Sequence, residues 1–71
     1  MLSPINLKLA RNIKQARMRR GYTQEELAEA AKTSYKYIQR IEGRTPPDLR
    51  ISSIQKIAKA LRVKISQLVE K

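Results

Sequence analysis

The chain has neither cysteine nor histidine among its 71 residues, and this absence limits how it can be stabilised. A disulfide framework and a thiolate metal site are both excluded, so the fold must rest on buried apolar surface. A chain of this length has room for one domain, residues 1–71, with a core so small that helices joined by short loops are expected. Histidine is also the commonest general base and metal ligand, so we expect neither an enzyme nor a metal or other cofactor.

Positive charge dominates the composition. Lys and Arg number 16 against 6 Asp and Glu, which gives a formal net charge of +10. Positions 1–22 hold six basic residues and no acid, whereas the charges of positions 23–31 are all acidic. Solubility alone does not need so large an imbalance, which favours a polyanionic partner. No apolar run is long enough to span a membrane and the N-terminus lacks the layout of a signal peptide, so an intracellular protein is expected.

Apolar residues recur at helical spacing along the chain and predict five helices. We place them at about 5–20, 24–31, 34–42, 53–62 and 65–70. Gly21 is typical of a residue that ends a helix in the left-handed conformation. Two capping boxes, Thr23 with Glu26 and Ser52 with Gln55, mark the starts of the second and fourth helices.

The apolar stripes also predict the core. Its expected members are Ile5, Leu9, Ile13, Ala16, Leu27, Ala28, Ala31, Ile38, Ile41, Ile54, Ile57, Ala58 and Leu61. Ile65, Leu68 and Val69 make the short last helix amphipathic. Tyr22 is expected to pack at the rim of this core. Positions 43–51 contain Pro46-Pro47 and are predicted to form a loop, because each proline lacks an N–H and constrains the residue before it.

The second and third predicted helices, joined by three or four residues, have the spacing of a helix-turn-helix. On the third helix, the side opposite its two isoleucines carries long polar side chains. These are Tyr35, Lys36, Gln39 and Arg40. Gln is suited to adenine, Arg and Lys are suited to guanine, and Tyr is suited to a thymine methyl group or a phosphate. This face predicts double-stranded DNA as the partner, and the alternative is a solvated polar face.

Further motifs are spread over residues 7–69. They are Arg17, Gly21, Thr23-Gln24-Glu25-Glu26-Leu27-Ala28, Ser34, Tyr37-Ile38, Ile41-Glu42 and Ile57-Ala58-Lys59-Ala60-Leu61. Together they resemble the Cro and lambdoid-repressor type helix-turn-helix family, which also includes restriction-modification controller proteins. The resemblance implies an all-α, five-helix lambda-repressor-like domain whose third helix enters the major groove, usually as a homodimer on a palindromic operator. It further implies a cytoplasmic transcriptional regulator, a repressor or autoregulator of bacterial or phage origin, with no small-molecule effector.

The resemblance also implies roles for individual residues. Those expected to read bases are Ser34, Tyr35, Lys36, Gln39 and Arg40, and those expected to bind phosphates are Gln24, Tyr37, Arg44 and Thr45. For Tyr37, packing without a phosphate contact stays open. Arg17 and Glu42 match a structural salt bridge of the family. Lys32 and Arg62 stand where the family often has glycine, and a left-handed backbone at either would cost about 1 kcal/mol.

Functions of two other classes remain as alternatives. An antitoxin-like or co-regulator module that binds a partner protein as well as DNA would need an apolar patch beyond the core, for which Leu2, Leu7 and Val69 are the spare candidates. A cationic membrane-surface or RNA-binding peptide is less well matched, because three tyrosines are few for base stacking. Ile65, Leu68 and Val69, with Leu2 and Leu7, would form only a modest dimer surface, so we expect a weak dimer that DNA strengthens.

Overall fold

The computed structural model describes residues 4–44 and 46–69, with side chains described from Leu7 onward. Its helices are α1 (Pro4–Arg19), α2 (Gln24–Ala30), α3 (Tyr35–Ile41), α4 (Ile51–Leu61) and α5 (Ile65–Val69). No strand occurs in the two described ranges, and the predicted all-α, five-helix fold is confirmed. None of the described helices combines the length and apolar character needed to cross a membrane.

All five helices contribute to one core. The buried apolar residues are Leu9, Ala10, Ile13, Leu27, Ala28, Ala31, Ile38, Ile41, Ile54, Ile57, Ala58, Leu61 and Leu68. Ala16 and Tyr22 are partly buried against this cluster. On α5, Leu68 is buried, whereas Ile65 and Val69 are 38% and 40% exposed. A five-residue helix has little more than one turn, so it directs only Leu68 fully inward.

The start of α4 differs from the prediction. The helix begins at Ile51, two residues before the predicted start, and its N-cap is Arg50, which makes no side-chain capping hydrogen bond. The Ser52–Gln55 capping box is therefore wrong. Arg50 already has an extended backbone, and its carbonyl accepts the Ile54 N–H at 3.0 Å, so the first helical bond forms before Ser52 could act as a cap.

A buried asparagine, which the apolar pattern did not reveal, joins the two ends of the described chain. Asn12 lies on α1 among the core residues, and its Nδ2 donates to the Leu68 carbonyl at 2.7 Å. At the start of α5, the Lys64 N–H is in turn bound by the Gln67 side chain at 2.8 Å. These two bonds orient α5 against α1, and they satisfy backbone groups that a short helix leaves unpaired.

Three helices end in the same way, with one residue in the left-handed conformation. That residue is Gly21 after α1, with φ of 73°, as predicted, and Lys32 after α2 and Arg62 after α4, each with φ of 56°. In each case the N–H of the next residue bonds to a carbonyl five residues back, as at Thr33 to Ala28 at 2.8 Å. The bonding pattern therefore imposes the strained backbone on two residues that carry a Cβ.

Replacing Lys32 or Arg62 by glycine is expected to stabilise the protein by up to about 1 kcal/mol, because glycine adopts a positive φ without steric cost. Urea denaturation measures the change. Alanine at the same positions removes the charge but keeps the strain, so these variants should gain nothing. Equal stability of the glycine and alanine variants would show that the left-handed backbone carries no penalty here.

Candidate nucleic-acid interface

The helix-turn-helix consists of α2, the connection at positions 31–34, and α3. The predicted capping box at its start is present: the Glu26 N–H donates to Thr23 Oγ1 at 3.0 Å, and the Thr23 N–H donates to Glu26 Oε1 at 2.9 Å. Glu25 and Glu26 also place negative charge in the first turn of α2, where the helix dipole favours it. The cap determines where α2 begins, and it therefore places Gln24 at the first position of the helix.

Ser34 is the N-cap of α3, and its side chain accepts a hydrogen bond from the backbone of the first helical turn. Its Oγ accepts the Tyr37 N–H at 3.0 Å, and its backbone is extended. This contact gives the Ser34 oxygen a structural role, while the hydroxyl hydrogen can still be donated to a ligand. Ile38 and Ile41 then have no exposed surface, so the opposite side of α3 must face outward.

The outward side of α3 holds the remaining residues predicted to read bases. Tyr35 is 43% exposed, and Lys36, Gln39 and Arg40 are all exposed. The helix itself contains two cations and no acid. The sequence therefore anticipated which side chains share this surface, although their contacts with bases remain a prediction.

The residues predicted to bind phosphates lie at three different places. Arg44 is exposed just after α3, and Tyr37 is half-buried against the core. Thr45 lies outside the described residues. Gln24 is half-buried at the start of α2, where its Nε2 donates to Glu42 Oε1 at 3.1 Å. Gln24 thus already has a partner within the protein, a contact that could not be predicted from the sequence.

The predicted salt bridge between Arg17 and Glu42 is present and bidentate. Arg17 Nε donates to Glu42 Oε2 at 2.7 Å, and Nη2 donates to Oε1 at 2.9 Å. Arg17 Nη1 also donates to the Tyr22 carbonyl at 2.7 Å. The two side chains are only 12% and 2% exposed. The pair therefore fixes α1 and the turn before α2 to the end of α3, with its charges largely removed from water.

Sequence reasoning missed a cleft beside the N-terminus of α3. It is an open space of about 440 Å³ that runs from the helix-turn-helix to the start of α4. The residues that line it are Thr33, Ser34, Tyr37, Asp48, Arg50 and Ser53. Arg50 is exposed there and shares the lining with four hydroxyl-bearing side chains and with Asp48. The cleft extends the polar surface of α3 towards α4, and only the folded arrangement reveals it.

The charged groups differ between the surfaces of α2 and α3. The acidic residues of α2 lie on another surface, where Glu26 and Glu29 border a hollow with Tyr22. Among the described residues, no group of three or more acidic side chains is placed to hold a metal ion. The exposed side of α3 therefore offers cations and an amide to a ligand without competing carboxylates.

Comparisons with known proteins agree with this arrangement. The family model described as Helix-turn-helix matches residues 13–68, which is most of the chain. No curated protein matches the chain in sequence.

Solved structures match both the fold and the sequence. A hypothetical transcription factor, NHTF from Neisseria, has a TM-score of 0.85 at 34% identity, covering 92% of this chain and 74% of that protein. The protein C.Esp1396I, in a structure bound to a 19 base pair DNA duplex, has a TM-score of 0.85 at 35% identity, with coverage of 96% and 89%. SinR, a master regulator for biofilm formation solved in complex with DNA, has a TM-score of 0.80 at 32% identity, with coverage of 84% and 95%.

The family match runs from within α1 to within α5 and is far more specific than the helix-turn-helix spacing alone. The family and these neighbours consist of DNA-binding regulators rather than enzymes. The chain belongs to the Cro and lambdoid-repressor type helix-turn-helix family of DNA-binding transcriptional regulators.

Proposed function

We propose that the chain represses or autoregulates transcription by binding a palindromic operator in double-stranded DNA, with α3 in the major groove. The observation that carries the proposal is the exposed side of α3, which presents cations and an amide opposite two fully buried isoleucines. An α-helix fits the major groove, where each base pair shows a distinct pattern of donors and acceptors. Two similar proteins were solved in complex with DNA, which supports DNA as the partner.

On this proposal, different exposed side chains of α3 recognise different bases. Gln39 can pair with adenine through two hydrogen bonds, while Lys36 and Arg40 can donate to the O6 and N7 atoms of guanine. Tyr35 offers a ring edge to a thymine methyl group, and the Ser34 hydroxyl can contact either a base or a phosphate at the helix start. Their exposure leaves all five free to approach DNA.

The surrounding residues would hold the DNA backbone. Arg44 lies in the loop after α3, and Arg50 borders the cleft beside the start of α3. Contacts of this kind fix the register of the protein on DNA without reading sequence. Gln24, Tyr37 and Thr45 complete the set that the family resemblance implies, and the cleft adds Arg50 to it.

We further propose that two copies act together in the bacterial cytoplasm. One seven-residue helix reads only a few base pairs, so a dimer with recognition helices about 34 Å apart is the usual way to gain specificity. Leu7, Ile65 and Val69 are each about two-fifths exposed and offer a modest apolar surface for association. The charge of +10 per subunit opposes association until DNA neutralises it.

Selection of binding sites from a random DNA pool tests the proposal. A palindromic consensus with half-sites one helical turn apart would support α3 readout by a dimer. Sedimentation on the selected duplex then counts the bound protein, for which two copies are expected. A single copy at saturation on every selected palindrome would mean a monomeric binder, and failure to select any sequence would leave the partner-protein alternative.

Substitutions are expected to separate readout from phosphate binding. Replacing Lys36 or Gln39 by alanine should relax the preference at particular base pairs by roughly 1–3 kcal/mol, because each removes hydrogen bonds to base edges. Replacing Arg44 should weaken all sequences about equally, since phosphates carry no sequence information. Measuring Kd on the consensus and on its single-base variants distinguishes the two effects. If all three substitutions lowered affinity uniformly, α3 would not be the reading element.

A further inference from the structure

Three donors converge on the carboxylate of Glu42. Two come from Arg17, at 2.7 and 2.9 Å, and the third is the side-chain amide of Gln24, at 3.1 Å. The Glu42 side chain is only 2% exposed, so these donors replace the water that would otherwise solvate it. Glu42 therefore joins α1, the end of α3 and the first residue of α2 in one hydrogen-bonded cluster, which we call the Glu42 cluster.

The hydrogen bond from Gln24 to Glu42 also restricts the orientation of the Gln24 amide at the protein surface. A primary amide has two N–H donors and one carbonyl acceptor in a single plane, so committing one N–H to Glu42 limits how the whole group can turn. The other N–H and the oxygen remain for a ligand. A glutamine that is not held in this way loses considerable rotamer freedom when it binds.

We propose that Glu42 is a positioning residue for DNA binding, which holds the Gln24 amide in its DNA-contacting orientation before DNA arrives. Arg17 supports Glu42 from α1 with its opposite charge. The inference rests on the proposed function and deepens it, because the contact of Gln24 with DNA then depends on a residue that DNA does not reach. Ordering Gln24 in the free protein reduces the entropy that DNA binding would otherwise cost.

A double-mutant cycle tests this dependence on a duplex carrying the selected consensus. One arm is Gln24→Ala, and the other is Arg17→Met combined with Glu42→Leu, which removes the whole ion pair. Each arm is expected to raise Kd about two- to tenfold, the effect of one side chain that must be ordered on binding. Together they should raise Kd no more than the larger of the two single effects, because the amide acts only when Glu42 holds it.

The salt dependence of binding separates positioning from a structural role. Gln24 is neutral and releases no counterion, so both arms should leave the slope of log K against log salt unchanged. The proposal would be overturned if the effects of the two arms on Kd multiplied in the cycle. It would also be overturned if the salt slope and the base preference both changed, since these two changes together indicate a shifted α3. If the parent protein binds no duplex, the proposed function fails rather than this inference.

A measurement on the unmodified protein covers the case in which the ion-pair variant does not fold. The side-chain amide of Gln24 should be rigid by nitrogen-15 relaxation in the free protein and should stay rigid with DNA. Gln39 and Gln55 are exposed and serve as controls. Gln39 should be mobile until DNA binds, and Gln55 should be mobile in both states. A Gln24 amide that is mobile in the free protein would contradict the proposal.

Discussion

Replacing Arg17 by alanine is expected to destabilise the protein by roughly 3–5 kcal/mol, because it leaves the Glu42 carboxylate buried without its opposite charge. The side chain of Glu42 is 2% exposed, and the remaining donor, Gln24, is neutral. A domain of this size has a total stability of only about 4–11 kcal/mol. Each kcal/mol corresponds to about 4–8 °C, so Tm should fall by more than about 10 °C. Thermal and urea denaturation measure both quantities.

Two further variants show whether the ion pair is the cause. Arg11→Ala removes an exposed arginine from the same helix and should change stability by less than about 0.5 kcal/mol. Arg17→Met combined with Glu42→Leu should recover much of the loss, since an apolar pair of similar volume avoids the desolvation cost of buried charges. Stability of Arg17→Ala close to that of Arg11→Ala would mean that the pair is exposed in solution.

The sequence predicted the fold well because local rules decide most of it. Apolar residues at helical spacing located the helices, and the Thr23–Glu26 box defined the start of α2. The positive φ of Lys32 was foreseeable because the turn that ends α2 requires it whichever residue is present. The same kind of rule failed at Ser52, since a Ser-x-x-Gln pattern also fits inside a first helical turn that already has an earlier cap.

The contacts that escaped prediction join distant parts of the chain. Asn12 binds a carbonyl 56 residues away, and nothing in the sequence marks a backbone oxygen as its partner. The bond from Gln24 to Glu42 likewise depends on the angle between α2 and α3, which the apolar pattern does not specify. The residue types on α3 could be predicted, whereas the polar interactions that orient the interface required the folded structure.

DNA binding is expected to weaken steeply with salt, because each phosphate that a cation neutralises releases condensed counterions. Four exposed cations lie on α3 or in the segment that follows it: Lys36, Arg40, Arg44 and Arg50. We expect roughly 6–10 phosphate contacts per dimer, which give a log-log slope of about −5 to −9. Affinity should then fall by about 10³ to 10⁵ between 50 and 200 mM salt, as fluorescence anisotropy on the consensus duplex can measure.

The slope of log K against log salt, measured for two variants, shows where the phosphate contacts lie. Arg44→Gln should make the slope of the dimer less steep by about 2, one unit for each subunit, because it removes one phosphate contact per copy. Arg11→Gln removes the same charge from the exposed side of α1, which we interpret as a solvated face that adds only long-range attraction, so its slope should stay close to that of the parent. An equal change in both variants would make α1 part of the phosphate-binding surface. If the affinity of the parent protein did not change with salt, its charge of +10 would not act through DNA phosphates. The interface would then have to bind its partner through contacts other than these cations.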